Sequence, residues 1–240
     1  VVAEWRDLGT LRASLDGGEV ELVAVPGVDP ILEEKWRHGA ARALVRHLQR
    51  RPTLHGSAVG LGGTAVCFLG DSGAGKSTCA ADLCARLGAE LLADDLTEID
   101  VVEGKLLVCP SERWHWLLGD SAGALGYPPA PDKEARLARR VGTEPVPLAA
   151  LVSLAFGDGG AAPALTPLRG AGAFLAINAA YSRFVIDDPA TIQGDLHRIA
   201  DLVAEVPMFT LTRPRSFADL PRVATLVCEL VERLNRKGVR

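Results

Sequence analysis

Apolar positions in this chain follow two rhythms, one near every third or fourth residue and one in short continuous runs. Between Ile31 and Gln49, Leu32, Trp36, Ala40, Ala43, Leu44 and Leu48 recur among charges, which predicts one helix that Pro52 stops. Ser57–Leu61 and Thr64–Leu69 are apolar or β-branched runs joined by Gly62-Gly63, the pattern of a β-hairpin. Lys76–Leu87 is predicted as a helix with Ala80, Leu83, Cys84 and Leu87 on one face. Glu90–Ala93 is expected to be a short buried strand that ends in two aspartates, and Ile99–Val102 with Lys105–Cys109 a second hairpin around Glu103-Gly104. Residues 110–147 mix Pro, Gly and charge and are predicted to be a long irregular segment with one short helix at most. Leu148–Phe156 is then a strand, Gly157–Ala164 a flexible turn, and Gly170–Ala180 and Pro189–Val206 are helices. Pro207–Thr212 is a strand and Ser216–Arg236 a long helix. Residues 1–30 are short strands and turns, punctuated at Asp16-Gly17-Gly18 and Pro26-Gly27. The pattern predicts an α/β fold, a mixed sheet with flanking helices, with 1–50 as a small strand/helix extension on a domain spanning 51–240.

Composition narrows the classes. With 240 residues and 48% hydrophobic content, the chain can bury one sizeable core. A net charge of -4 argues against a broad nucleic-acid footprint, which needs a basic face. No apolar run approaches the ~20 residues of a membrane span, so no membrane partner is expected. Cys67, Cys79, Cys84, Cys109 and Cys228 form no CxxC pair and are odd in number, which suits buried reduced thiols of a cytoplasmic protein. The charged opening stretch at Glu4, Arg6 and Asp7 has no signal-peptide pattern, although the missing initiator Met suggests a trimmed start that would have taken any leader with it.

The chemistry is concentrated in Gly70-Asp71-Ser72-Gly73-Ala74-Gly75-Lys76-Ser77, which matches the Walker A pattern in full and is followed by Thr78. An apolar strand runs into it and an amphipathic helix leaves it, as the motif requires. Glycines let backbone N–H groups turn inward around phosphate oxygens, and the new helix aims its positive end at the same anion. Lys76 supplies a mobile charge for the β- and γ-phosphates of ATP, and the Ser77 hydroxyl is a Mg²⁺ ligand. Asp94-Asp95, closing the strand seventeen residues after Ser77, offers one acid to the metal and another to accept a proton from an attacking hydroxyl. Taken without the motif, such a pair is more often a helix cap or a solvated turn, and the Walker A match reverses that reading. The chain has no NKxD-type guanine motif and no LSGGQ-like signature, which points away from GTPases and ABC-type ATPases and towards a compact kinase.

From residue 55 onward the chain resembles the HPr kinase/phosphorylase-like proteins, relatives of the PEP carboxykinase type of P-loop. The resemblance is carried by His55-Gly56, the loop at 70–77 and Ala93-Asp94-Asp95, in the family's order. Val146-Pro147-Leu148, and Pro207 through Arg215-Ser216-Phe217-Ala218-Asp219-Leu220, look like the shorter HPr-kinase-related proteins found near peptide natural-product clusters, lasso peptide clusters among them. The resemblance implies a P-loop kinase core in 51–240, with Asp94 as general base towards a serine hydroxyl, Asp95 sharing Mg²⁺, and His55 tuning the acidic pair. It also implies a homo-oligomer with active sites near subunit contacts. The larger N-terminal domain and the acid-x-Arg-Gly stretch of full-length HPr kinases have no counterpart here, which points away from HPr as acceptor and from the reverse phosphorylase reaction.

The expected activity is transfer of the γ-phosphate of ATP to a Ser or Thr hydroxyl of a peptide or protein, a lasso-type precursor peptide being one candidate acceptor. A kinase of free serine, or a binding protein that holds a nucleotide without transferring phosphate, would use the same core. Lys133 and Arg136 are candidate substrate cations near the transferring phosphoryl group, or else part of a solvated helix face with Arg139 and Arg140. Trp114 and Trp116 are expected to be packing residues.

Overall fold

The computed structural model describes residues 1–128, 130–157, 160–184 and 189–238, with residues 237 and 238 described by their backbone only. Residues near the start form β1 (Val2–Trp5), β2 (Gly9–Ala13) and β3 (Val20–Ala24), an antiparallel sheet of its own. Across it lie α1 (Pro30–Trp36) and α2 (Arg42–Leu48). The single helix expected over 31–49 is instead two α-helical pieces joined by a wider π-turn at Arg37–Ala41. Asp29 caps α1, its Oδ1 accepting from the Ile31 N–H at 2.8 Å. Leu11, Trp36, Ala41, Leu44 and Leu48 make the small core between sheet and helices.

The main sheet contains β4 (Thr53–Leu61), β5 (Thr64–Leu69), β6 (Glu90–Val102), β7 (Lys105–Cys109), β10 (Val146–Phe156), β11 (Ala164–Pro167) and β12 (Met208–Arg213). Its order is β11-β12-β10-β5-β4-β6-β7, and β7 also pairs with the start of β10, so the strands from β10 round to β7 curl into a ring. Helices α3 (Lys76–Leu87) and α7 (Leu220–Gly238) cover one face, where Val66 and Phe68 meet Ala80, Leu83, Val227 and Leu230. Helices α5 (Gly170–Ala180) and α6 (Pro189–Glu205) cover the other, against Ala65, Cys67 and Leu69. Both faces of β5 are therefore buried, which explains its unbroken apolar run. No helix among the described residues is long and apolar enough to cross a membrane.

Three local expectations change. The acidic pair does not end a strand, because β6 runs unbroken through Asp94 and Asp95 for 13 residues and absorbs the predicted strand at 99–102. Polar Glu98 and Asp100 break the apolar pattern there, yet Glu98 is 2% exposed because Arg42 and Arg46 neutralise it. Nor does β6 lie beside β5; antiparallel β4 stands between them. Residues 110–147 are more ordered than expected, with β8 (Trp114–Leu117), α4 (Gly119–Ala124) and β9 (Glu134–Leu137), β8 and β9 forming a two-stranded ribbon. Of the predicted turn at 157–164, Asp158 and Gly159 lie outside the described residues.

Candidate active site

Residues Gly70 to Gly75 form the turn that leaves β5 and enters α3. Gly73 and Gly75 have φ of +80° and +90°, and a Cβ on Gly75 would lie 2.2 Å from Arg213 Nη2. No side chain caps α3, so its first N–H groups remain available to a ligand at the loop. Lys76 folds back over the turn, donating to the Gly70 carbonyl at 2.8 Å and the Asp71 carbonyl at 3.2 Å. Burial holds its pKa below the ordinary lysine value.

The aim of Asp94 is set by a bulge. Ala58 faces Ala93 but Val59 faces Leu91, so Leu92 is an extra residue in the β4–β6 ladder. Leu91 packs on the α3 side, Leu92 and Ala93 both on the other, and Asp94 is thereby turned back towards α3. There it is fully buried. Its Oδ1 accepts from Ser57 Oγ at 2.5 Å and its Oδ2 from the Trp116 N–H at 2.6 Å. Burial raises its carboxyl above the ordinary value, opposed by these bonds and by one from Ser77.

Asp95 has the opposite environment. Its φ of 141° is a backbone strain that places its carboxylate, 29% exposed, beside His55 Nδ1 at 3.5 Å and Lys35 Nζ at 3.3 Å. Burial, then the Lys76 cation, hold the His55 imidazole below its usual pKa. Asp95, His55, Ser72, Gly73, Gly75, Lys76, Ser77, Thr78 and Lys133 all line one cavity of about 210 Å³. Asp94 lies behind its wall. Arg136 does not line it; its guanidinium binds Glu134 at 2.9 Å and the Pro128 carbonyl at 3.0 Å.

Neither a family model nor any curated protein matches the chain. Among solved structures, the HPr(Ser) kinase/phosphatase from Coxiella burnetii is similar. The match covers 78% of this chain and 93% of that one, at 16% sequence identity and a TM-score of 0.41. That likeness is loose, and the functional reading rests on the site's own geometry.

Three residues at the site carried no signal in the sequence. Lys35 reaches it from α1 and also stands 3.8 Å from the centre of the Trp116 ring. Ser57 looks like an ordinary strand serine until it meets Asp94 across the ladder. Glu112 accepts from the Asp94 N–H at 2.6 Å, and burial, followed by the negative charge of Asp94, pushes its carboxyl up to about 8. An acid with a raised pKa holds a folded-state proton that the unfolded chain has lost. Its contribution is therefore absent below about pH 4.5 and grows as a penalty on stability up to about pH 8. Glu112→Gln, which keeps the accepting oxygen, should gain stability over the parent as pH rises from 5 to 8. Urea unfolding at the two pH values measures it, and an equal difference at both would reject this account.

Proposed function

We propose that this chain is an ATP-dependent kinase with a P-loop core of the HPr kinase/PEP carboxykinase type, transferring the γ-phosphate to a Ser or Thr hydroxyl of a peptide or protein. One observation carries the reading: Lys76 and Ser77 share a cavity with Asp95, His55 and Lys133, while Asp94 is held just behind them. The loop suits a triphosphate, with uncapped N–H groups at α3 and an ammonium group whose present partners are main-chain carbonyls. The donors here, the Ser77 hydroxyl with carboxylates beside it, are all oxygens and suit Mg²⁺, which takes one or two protein ligands and completes its shell with phosphate oxygens and water.

Ser77 would hold Mg²⁺, its hydroxyl oriented by the buried Asp94 carboxylate, and the ion when bound would neutralise charge on the phosphates. Lys76, released from the Gly70 and Asp71 carbonyls, turns to the β- and γ-phosphate oxygens. Asp95 takes the proton as the acceptor oxygen bonds to the γ-phosphorus and the bond to the bridging oxygen breaks, releasing ADP. His55 keeps its neutral ring against Asp95, and Lys133 offsets charge on the group in transfer. These roles exchange the two acids relative to what the resemblance implies. Asp94 has both oxygens engaged and no exposed surface, whereas Asp95 opens onto the cavity.

Mass spectrometry of reactions containing ATP, Mg²⁺ and a panel of HPr, a serine-terminated lasso-type precursor peptide and free serine tests the reading. A phosphorylated peptide or protein, absent with Lys76→Ala, is the expected result. Phosphoserine alone would make the chain a small-molecule kinase. Bound ATP with no ADP and no phosphorylated acceptor would leave a nucleotide-regulated binding protein.

A further inference from the structure

A second cavity, of about 380 Å³, adjoins the first and shares Gly73, Gly75 and Thr78 with it. Its volume lies within the roughly 300–1,000 Å³ range of small-molecule sites. One side of its wall is the start of α4, with Asp120; the other comes from the ends of β10 and β12 and the segment after β12, through Phe156, Arg213, Arg215 and Phe217. Phe156 and Arg213 are cross-strand partners in the parallel β10–β12 pair, at the carboxyl ends of strands parallel to β5. That is the edge of a sheet where ligands of α/β proteins collect.

We propose that this cavity holds the nucleoside end of the bound triphosphate by stacking on the ring faces, without reading the edges of the base. The proposal rests on the phosphate-binding reading of the Gly70–Ser77 loop. A triphosphate seated in that loop must send its nucleoside out along one of the two adjoining cavities. The first is taken up by the acids and the acceptor, which leaves this one.

Its surfaces are flat and π-rich. Phe156 and Phe217 remain 39% and 42% exposed, and the guanidinium carbons of Arg213 and Arg215 stand 4.9 and 4.6 Å from the Phe156 ring centre. Arg213 is 6% exposed and ties the wall to the loop through the Ala74 carbonyl at 2.9 Å, while its buried Nε has no protein partner among the described residues. Two side chains here that could meet a base edge are already partly turned to the chain's own backbone. Asp120 Oδ1 accepts from the Ser121 N–H at 2.6 Å, and Ser216 Oγ accepts from the Ala218 N–H at 3.2 Å. Every base offers a ring face, so such a site tolerates adenine and guanine alike.

The test is equilibrium binding, with Mg²⁺, of non-hydrolysable ATP and GTP analogues and of inorganic tripolyphosphate. ATP and GTP analogues should bind within about tenfold of each other. Phe217→Ala should weaken both by about tenfold or more, the scale of a lost base–aromatic stack, and leave tripolyphosphate unchanged. A preference above about a hundredfold for one purine would overturn the proposal, because stacking on ring faces is nearly indifferent to the base. So would unchanged nucleotide affinity in Phe217→Ala. If that variant also loses tripolyphosphate, Phe217→Leu, which keeps bulk without the ring, decides by the same criterion. Lys76→Ala separates the two readings: if it leaves all three ligands bound as before, the phosphate-loop reading fails first. If it weakens all three while Phe217 is silent, only the stacking site falls.

Discussion

Asp95→Asn is expected to lower turnover by about 10²–10⁴-fold at saturating ATP and Mg²⁺ while leaving nucleotide affinity nearly intact. The factor is that of a positioned general base, equivalent to about 3–5 kcal/mol of barrier. Asparagine keeps the shape and the place beside His55 but cannot take the acceptor's proton. Asp94→Asn should behave differently. Its amide can still accept from the Trp116 N–H and donate to Ser57, so the buried geometry survives. What it loses is the negative charge beside Ser77, so the Mg²⁺ concentration for half-maximal rate should rise more than the saturated rate falls. Single-turnover rates across a Mg²⁺ titration distinguish the two. A large loss at saturating Mg²⁺ for Asp94→Asn, with Asp95→Asn within tenfold of the parent, would restore the assignment that the family resemblance implies.

Trp36→Ala should destabilise the chain by about 3–5 kcal/mol, as full truncation of a buried indole does. Trp36 is 2% exposed, packs edge-on against Trp5 at 5.8 Å, and occupies the space that a side chain at Gly9 would need, 2.5 Å from its Cη2. It also neighbours Lys35, the cation beside Asp95. Loss of the indole should thus reduce activity as well as the denaturation midpoint, although Trp36 lines none of the Lys76 cavity. Lys35→Met is the control, expected to affect activity with little change in the midpoint. A stability loss under about 1 kcal/mol for Trp36→Ala would show that the N-terminal sheet is not anchored through this residue.

The elements legible in the sequence were those specified by neighbours in the chain. The β4–β5 hairpin follows from Gly62-Gly63, α3 from its apolar stripe, and the loop between β5 and α3 from its glycines. Partners far apart in sequence left no periodic trace. Glu98 interrupts the apolar pattern of β6, and Arg42 and Arg46, which neutralise it, lie more than fifty positions earlier. The extra residue at Leu92, which turns Asp94 towards α3, has no signature such as glycine. For Lys133 and Arg136 the sequence offered two cations of equal standing; only the pairing of β8 with β9 separates one that faces the cavity from one bound to Glu134.

β6 has a consequence for how freely this region can vary. One rigid strand carries the two acids at the site and, at Glu98 and Asp100, the carboxylates clasped by Arg42, Arg46 and Arg51. Side chains on a strand alternate faces, so inserting or deleting one residue between Asp95 and Glu98 inverts one group relative to the other. No shift of register restores both. The candidate site and the N-terminal clasp are therefore locked in phase, and length variation among homologues should fall in the β8–β9 ribbon and its connections, never within this stretch of β6.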